Sequence, residues 1–168
     1  MSVLVVKESF FGNGNAVVDA VVSGLAETVR KVAVVEAAAA EATIPDDVSV
    51  LIISAPTHEL SLPTPKTRGA ASAAGGAVNI ERGVREWIAD LSPSQDVQVF
   101  AIDTATRAGA VIGSASKAIV KAMKKRGFAD VTRGPSFYVG DTAGPLLDDQ
   151  IEKAREFGRE LAAETAVV

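Results

Sequence analysis

The chain has 168 residues, 48% of them hydrophobic and 23% charged, with a formal net charge of −4. That length suits one core-bearing domain over residues 1–168, and the acidic balance argues against nucleic acid as a main partner, because neutralising phosphates needs a basic surface. There is no cysteine, which excludes disulfides, thiolate nucleophiles and cysteine metal sites.

In chain order, Val3–Val6 is a continuous apolar run, as a strand buried on both faces requires. Asn15–Val29 places Val18, Val21, Val22 and Leu25 on one helical stripe. Lys31–Val35 reads as a second strand, and the alanine-rich, acidic stretch from Glu36 to Asp47 as a loose helical turn. Val48–Ser54 is a third strand, stopped by Pro56. The loop from Pro56 to Asn79 is roughly two dozen residues long against a median near 4–6. Prolines stiffen its first half, whereas Gly69–Gly76 has no side chain able to anchor it and is expected to be mobile. Glu81–Leu91 sets Val84, Trp87, Ile88 and Leu91 at helical spacing, and Val97–Ile102 is a fourth strand. Ser114–Arg126 is a helix with Ile119, Ala122 and Met123 inward and lysines outward, ending in Lys124, Lys125, Arg126 and a Gly127 cap. Ala129–Val139 holds a fifth strand, and Asp148–Ala163 a last helix with Ile151, Ala154, Phe157 and Leu161.

Strands alternating with helices imply a parallel sheet covered on both faces, a three-layer α/β arrangement. In such sheets ligands bind beyond the carboxyl ends of the strands, where the strand order reverses. Three loops gather there: Ser9–Asn15, Pro56–Asn79 and Asp103–Gly113. The first, Ser9-Phe10-Phe11-Gly12-Asn13-Gly14-Asn15, joins a buried strand to a helix. Its free backbone N–H groups at the positive end of the helix dipole suit a phosphate. Gly12 and Gly14 serve either a close phosphate approach or a tight turn, and Asn15 reads more simply as a helix cap. His58 is the only histidine. The N-terminal Met1-Ser2-Val3 lacks the features of a leader peptide, and no apolar run nears the ~18 residues of a membrane span. A cytoplasmic protein without membrane contacts is expected.

The chain also resembles the flavodoxin-like proteins. The resemblance rests on Glu8-Ser9-Phe10-Phe11-Gly12-Asn13, Ala55-Pro56-Thr57-His58 and Phe100-Ala101-Ile102-Asp103-Thr104. It continues through Gly113-Ser114-Ala115, Arg126-Gly127-Phe128, Phe137-Tyr138-Val139 and Gly144-Pro145-Leu146, in order along nearly the whole chain. It implies a five-stranded parallel sheet in order 2-1-3-4-5, with non-covalent FMN and electron transfer to a redox partner protein not named by the sequence. The cofactor contacts it implies are Ser9, Phe11, Gly12, Asn13, Gly14 and Asn15 at the phosphate, and Pro56, Thr57, His58, Asp103 and Thr104 along the flavin. Within the usual loop pattern Thr/Ser-x-Thr-Gly-x-Thr, Phe11 and Gly14 stand where hydroxyl residues are usual. Trp87 reads as a buried helix face and Tyr138 lies in the fifth strand, so neither sits in the flanking loops.

Other chemistries find less. A dinucleotide fingerprint would need a small residue at Val17 and a tighter turn after Val6. A phospho-receiver would need an aspartate where Ser54 and Ala55 stand. His58 has no Gly-x-Ser-x-Gly partner, and one histidine with scattered carboxylates is a poor metal site. Two readings stand: an FMN electron-transfer protein, and a binding or interaction module of the same fold that has lost tight FMN binding. The lysine stripe Lys117, Lys121, Lys124 and Lys125 is most simply a solvated helix face, though an acidic redox partner could use it.

Overall fold

Branched aliphatic residues dominate the strand segments, where they suit a pleated backbone. The computed structural model describes residues 1–77, 79–93 and 96–165. Five strands form: β1 (Ser2–Lys7), β2 (Lys31–Glu36), β3 (Val50–Pro56), β4 (Gln98–Ala105) and β5 (Val131–Tyr138). They make one parallel sheet in the order β2-β1-β3-β4-β5, as expected. The register aligns Val5 with Ile52 and Ile52 with Phe100 across the centre.

The helices are α1 (Asn13–Leu25), α2 (Pro65–Ala73), α3 (Val84–Asp90), α4 (Arg107–Ile112), α5 (Ala115–Lys125) and α6 (Gln150–Thr165). Successive strand side chains face opposite sides, so the sheet feeds two cores. Leu51, Ile53 and Val99 face Trp87, Ile119 and Met123 on one side. Val50, Ile52 and Phe100 face Val17, Val21, Ala154 and Leu161 on the other. Full burial of one such aliphatic side chain contributes about 1.5–3 kcal/mol.

Helices α1 and α6 cross with their backbones nearly touching. A Cβ on Gly24 would lie 2.1 Å from the Arg155 carbonyl, and one on Gly158 2.2 Å from that of Val21. An ion pair from Arg159 to Glu27 flanks the crossing at 2.8 Å. Helix α5 stops as the sequence indicates. Gly127 adopts φ 97°, and the N–H groups of Gly127 and Phe128 donate to the carbonyls of Lys124 and Met123, the Schellman arrangement.

Several expectations need correction. Gly69–Gly76 is not an unanchored run: its first five residues belong to α2. That helix starts at a capping box in which Thr64 and Thr67 bond reciprocally, with Pro65 at the first helical position. It ends on Gly75 at φ 93°, with Gly76 N–H donating to the Ala71 carbonyl. Residues 37–47 form turns and irregular chain rather than a helical turn. Asn15 does not cap α1; Gly12 occupies that position at φ 87°, and Asn15 accepts from Lys7 Nζ instead. On α6, Ala154 and Leu161 are buried and Ile151 is exposed. Helix α4 forms within the expected loop Asp103–Gly113, capped by Thr106, which accepts from Gly109 N–H. In β5 the register slips by one residue around Gly134-Pro135, a bulge on an outer strand, where proline costs no ladder bond. No helix among the described residues is long and apolar enough to cross a membrane.

Candidate functional site

The carboxyl ends of β1, β3 and β4 open into a cleft of about 480 Å³, within the range of small-molecule sites. The loop after β1 supplies Ser9 and Phe11, the start of α1 supplies Asn13 and Gly14, the end of β3 and the chain beyond it supply Pro56, Thr57 and His58, and β4 supplies Thr104. Eight of the anticipated residues therefore line one cleft. Gly12 borders it as the cap of α1, exposed, with nothing within 4 Å of where a Cβ would stand. Asn15 lies one turn into α1, held by Lys7.

Asp103 is elsewhere. Its side chain is fully buried behind β4, where Oδ2 accepts from Ser116 N–H at 2.7 Å and Oδ1 has no partner among the described residues. It ties β4 to the start of α5. Thr57 also braces that helix start, since its hydroxyl accepts from Ala115 N–H at 3.0 Å. Asn13 donates through its amide to the Ala143 carbonyl, fixing the turn after β5 against the loop after β1.

The end of the cleft at α1 is built for an anion. The backbone N–H groups of residues 9–15 make no hydrogen bond within the described residues, and neither does the Ser9 hydroxyl. They surround the N-terminus of a 13-residue helix. Gly14 packs on Ser9: a Cβ there would lie 3.1 Å from Ser9 Oγ. Its absence keeps the serine in place.

Farther along, the cleft is apolar. Phe10 is buried and meets His58 edge-to-face, ring centroids 4.9 Å apart. Burial holds the His58 imidazole below its ordinary pKa of 6.5; Glu59 opposes this and the Arg68 charge adds to it. His58 is therefore neutral at pH 7. Its backbone pairs with Ser61 in both directions at 3.0 Å. Between them Glu59 and Leu60 adopt φ 47° and 63°, the left-handed region that ordinary residues occupy only at a cost.

Sequence reasoning missed the walls built by α2, α4 and their caps, and also Phe10, Glu59, Leu60, Ala105, Val139 and Thr142 of the lining. Lys66, Thr67, Ala70, Ala71 and Ala74 form one wall, Thr106 and Gly109 another. Lys66 is exposed and has no carboxylate partner among the described residues. Helix α2 is held from behind by Arg68, whose side chain is fully buried. Its Nε donates to Glu8 Oε1 at 2.6 Å and its Nη2 to Glu86 Oε2 at 2.7 Å. Glu8 also accepts from Val84 N–H, and Glu86 from Gly83 N–H, each at 2.9 Å. Burial pushes the Glu86 carboxyl up, but Arg68 and the backbone N–H groups of Glu86 and Gly83 pull it below its ordinary value. The signal for this wall was present as Thr64-Pro65-Lys66-Thr67, a helix start.

No family profile matches the chain, and no curated protein does. Solved structures do. A flavodoxin from the domain Archaea superposes with a TM-score of 0.65 at 16% identity, covering 99% of both chains. Flavodoxin 1 from Bacillus cereus gives 0.66 at 17%, covering 97% of this chain and 98% of that one. Rubredoxin oxygen:oxidoreductase from Desulfovibrio gigas gives 0.65 at 13%, with 99% of this chain matching 36% of that larger one. At such identities the likeness shows the fold, which is flavodoxin-like.

One end of the cleft thus offers unclaimed N–H groups and Ser9, which suit an anion such as a phosphate, and the other is an apolar slot between α2 and the His58 segment. Neither Trp87 nor Tyr138 lines the cleft. Trp87 is buried and donates to the Glu41 carbonyl at 2.8 Å.

Proposed function

We propose that this chain binds FMN non-covalently in the cleft and serves as an electron carrier for a partner protein, without nucleic acid or membrane contacts. The observation that carries the reading is the continuity of an anion cradle and an apolar slot in a single cleft at the switch point of the sheet. The flavodoxin-like fold supports it. Bound FMN would supply reversible electron transfer.

The chain's residues do the positioning. The N–H groups of residues 9–15 and the Ser9 hydroxyl hold the phosphate, helped by the α1 dipole. Lys66 adds a cation on the opposite wall. Neutral His58, fixed by Phe10, gives an uncharged rim. Ala70, Ala71 and Ala74 keep the slot wide and dry.

A second reading is favoured by Phe11 and Gly14. They remove two hydroxyls that would each add ~1.5–3 kcal/mol to phosphate recognition, leaving a module of the same fold that no longer holds flavin tightly. One titration decides. FMN should be quenched by the protein and bind at least about tenfold more tightly than riboflavin, a difference of about 1.4 kcal/mol for the phosphate. Equal affinity for both flavins, or no quenching of either, overturns the FMN reading.

A further inference from the structure

The charges of this acidic chain are segregated. Residues 104–133 hold seven Lys or Arg and a single carboxylate, Asp130, while the other 138 residues hold ten cations and twenty carboxylates. The pairing follows the same division. Lys7, Lys31, Arg68, Arg82, Arg155 and Arg159 are the ion-paired cations among the described residues, and none lies in 104–133.

Four of the cations without a carboxylate partner are linked by contacts with α4, the start of α5 and β5. Arg107 opens α4 and stands over the Tyr138 ring at 5.4 Å; Lys153 of α6 approaches the same ring at 5.2 Å. Two like charges thus share one aromatic ring, and burial together with Arg107 holds Lys153 below its ordinary pKa. Lys117 donates to the Val111 carbonyl at 3.0 Å. Arg133 reaches from β5 to Ser116 Oγ at 3.0 Å. All four side chains hydrogen-bond or stack on neutral groups, which leaves their charge uncompensated.

The centre of this basic rim is apolar. Val111 is 79% exposed and Ile112 75%, far more open than a solvated helix needs. Leu60, 45% exposed, adjoins them: its carbonyl lies 2.5 Å from where a Cβ on Gly113 would stand. Leu60 and Gly109 of this patch also line the cleft. An exposed aliphatic centre ringed by charge is the anatomy of a transient protein interface.

We propose that the face formed by α4, the start of α5 and the end of β5 docks an acidic protein partner. The face stands on its own residues and does not require flavin in the cleft. Its chemistry selects among polyanions. The exposed apolar groups are aliphatic, so no aromatic platform is offered to nucleic-acid bases. Outside residues 104–133 the carboxylates outnumber the cations two to one, which repels an extended polyanion such as a duplex or an anionic bilayer. A compact acidic surface with apolar residues at its middle matches both the rim and the centre.

The test uses the full chain and a fluorescent Glu-rich peptide carrying leucines, followed by anisotropy over a salt series. Binding should weaken as salt rises. Arg107→Glu with Lys117→Glu should weaken it about tenfold or more, from the loss and reversal of two charges. Val111→Ser with Ile112→Ser should weaken it about threefold or more while leaving the salt dependence unchanged, as loss of apolar contact alone requires. Lys31→Glu, on the far edge of the sheet and ion-paired with Asp47, should have no effect. The inference is overturned if the Arg107/Lys117 double variant binds as the Lys31 variant does. It is equally overturned if a DNA duplex or phosphatidylserine vesicles bind more tightly than the peptide at the same salt. FMN titration of the same samples is a separate readout, so failure of the docking face is distinct from failure of the flavin site.

Discussion

Replacing Arg68 by methionine tests how the cleft is held open. Methionine keeps much of the apolar stem and removes the guanidinium, leaving Glu8 and Glu86 facing each other without a cation. Arg68 is fully buried and Glu8 is 7% exposed on its side chain, so solvent cannot replace the lost charge. Breaking a buried pair in this way costs about 3–5 kcal/mol, a large share of the roughly 5–15 kcal/mol of a domain. Denaturation by urea at pH 7 reads this loss directly. The pH dependence gives a second check. Glu86 has a folded pKa below its ordinary value of 4.5. Its contribution in the native chain is therefore present above about pH 4.5 and lost as pH falls through the folded pKa. In Arg68→Met the carboxylates repel, so protonation relieves the variant. The difference between the two proteins should narrow as pH drops from 7 towards 4. A loss under about 1 kcal/mol at pH 7, or a difference that does not change with pH, refutes the argument.

Four further outcomes are expected. Gly14→Thr should weaken FMN binding several-fold and leave riboflavin unchanged, because the new Cβ crowds Ser9 at 3.1 Å; tighter FMN binding would show that an added hydroxyl outweighs the displaced serine. The His58 ring should titrate in NMR with a midpoint below 6.5. Stability should accordingly fall as pH drops from 6.5 through that midpoint and level off below it; a midpoint at or above 6.5 would contradict the burial argument. Glu59→Gly should stabilise by up to about 1 kcal/mol in thermal or urea unfolding, since glycine carries no penalty at positive φ, and a destabilised variant would show that the side chain holds the turn. Gly158→Ala should destabilise by about 1–3 kcal/mol or more through overpacking, because its Cβ would meet a backbone carbonyl at 2.2 Å; a neutral result would mean that α1 and α6 separate freely.

The central strands could be read from sequence because β1, β3 and β4 are buried on both faces and so are written as unbroken aliphatic runs. The stop of α5 could be read because a left-handed C-cap admits glycine almost alone. Helix α2 was hidden for the opposite reason. Its wall on the cleft is made of alanines, which look like filler in a string of residues, and its anchor is one arginine whose partners lie 60 and 18 positions away. No local pattern announces a contact of that kind. Asp103 illustrates a related limit: an acid at a strand end looks the same whether it faces a ligand or holds a neighbouring helix start, and here it accepts from Ser116 N–H in the first turn of α5. The loop after β1 was legible as an anion cradle because it depends on backbone groups, whose placement follows from the strand–turn–helix order itself.

The close crossing of α1 and α6 has a consequence for the order in which the molecule is made. The loop that would hold a phosphate follows β1 directly, and β1 finds its neighbours β2 and β3 soon afterwards. The partner that seats α1 is the last helix, beginning at Gln150. During synthesis the cradle is therefore present as a segment long before it is a fixed shape, and α1 and α6 must meet across the strands β2–β5 that separate them in sequence. Such distant pairing slows folding relative to local helix–helix contacts. It makes ligand capture one of the final events of assembly rather than a nucleus for it, so a ribosome-stalled chain ending before Gln150 should gain no protection from ligand.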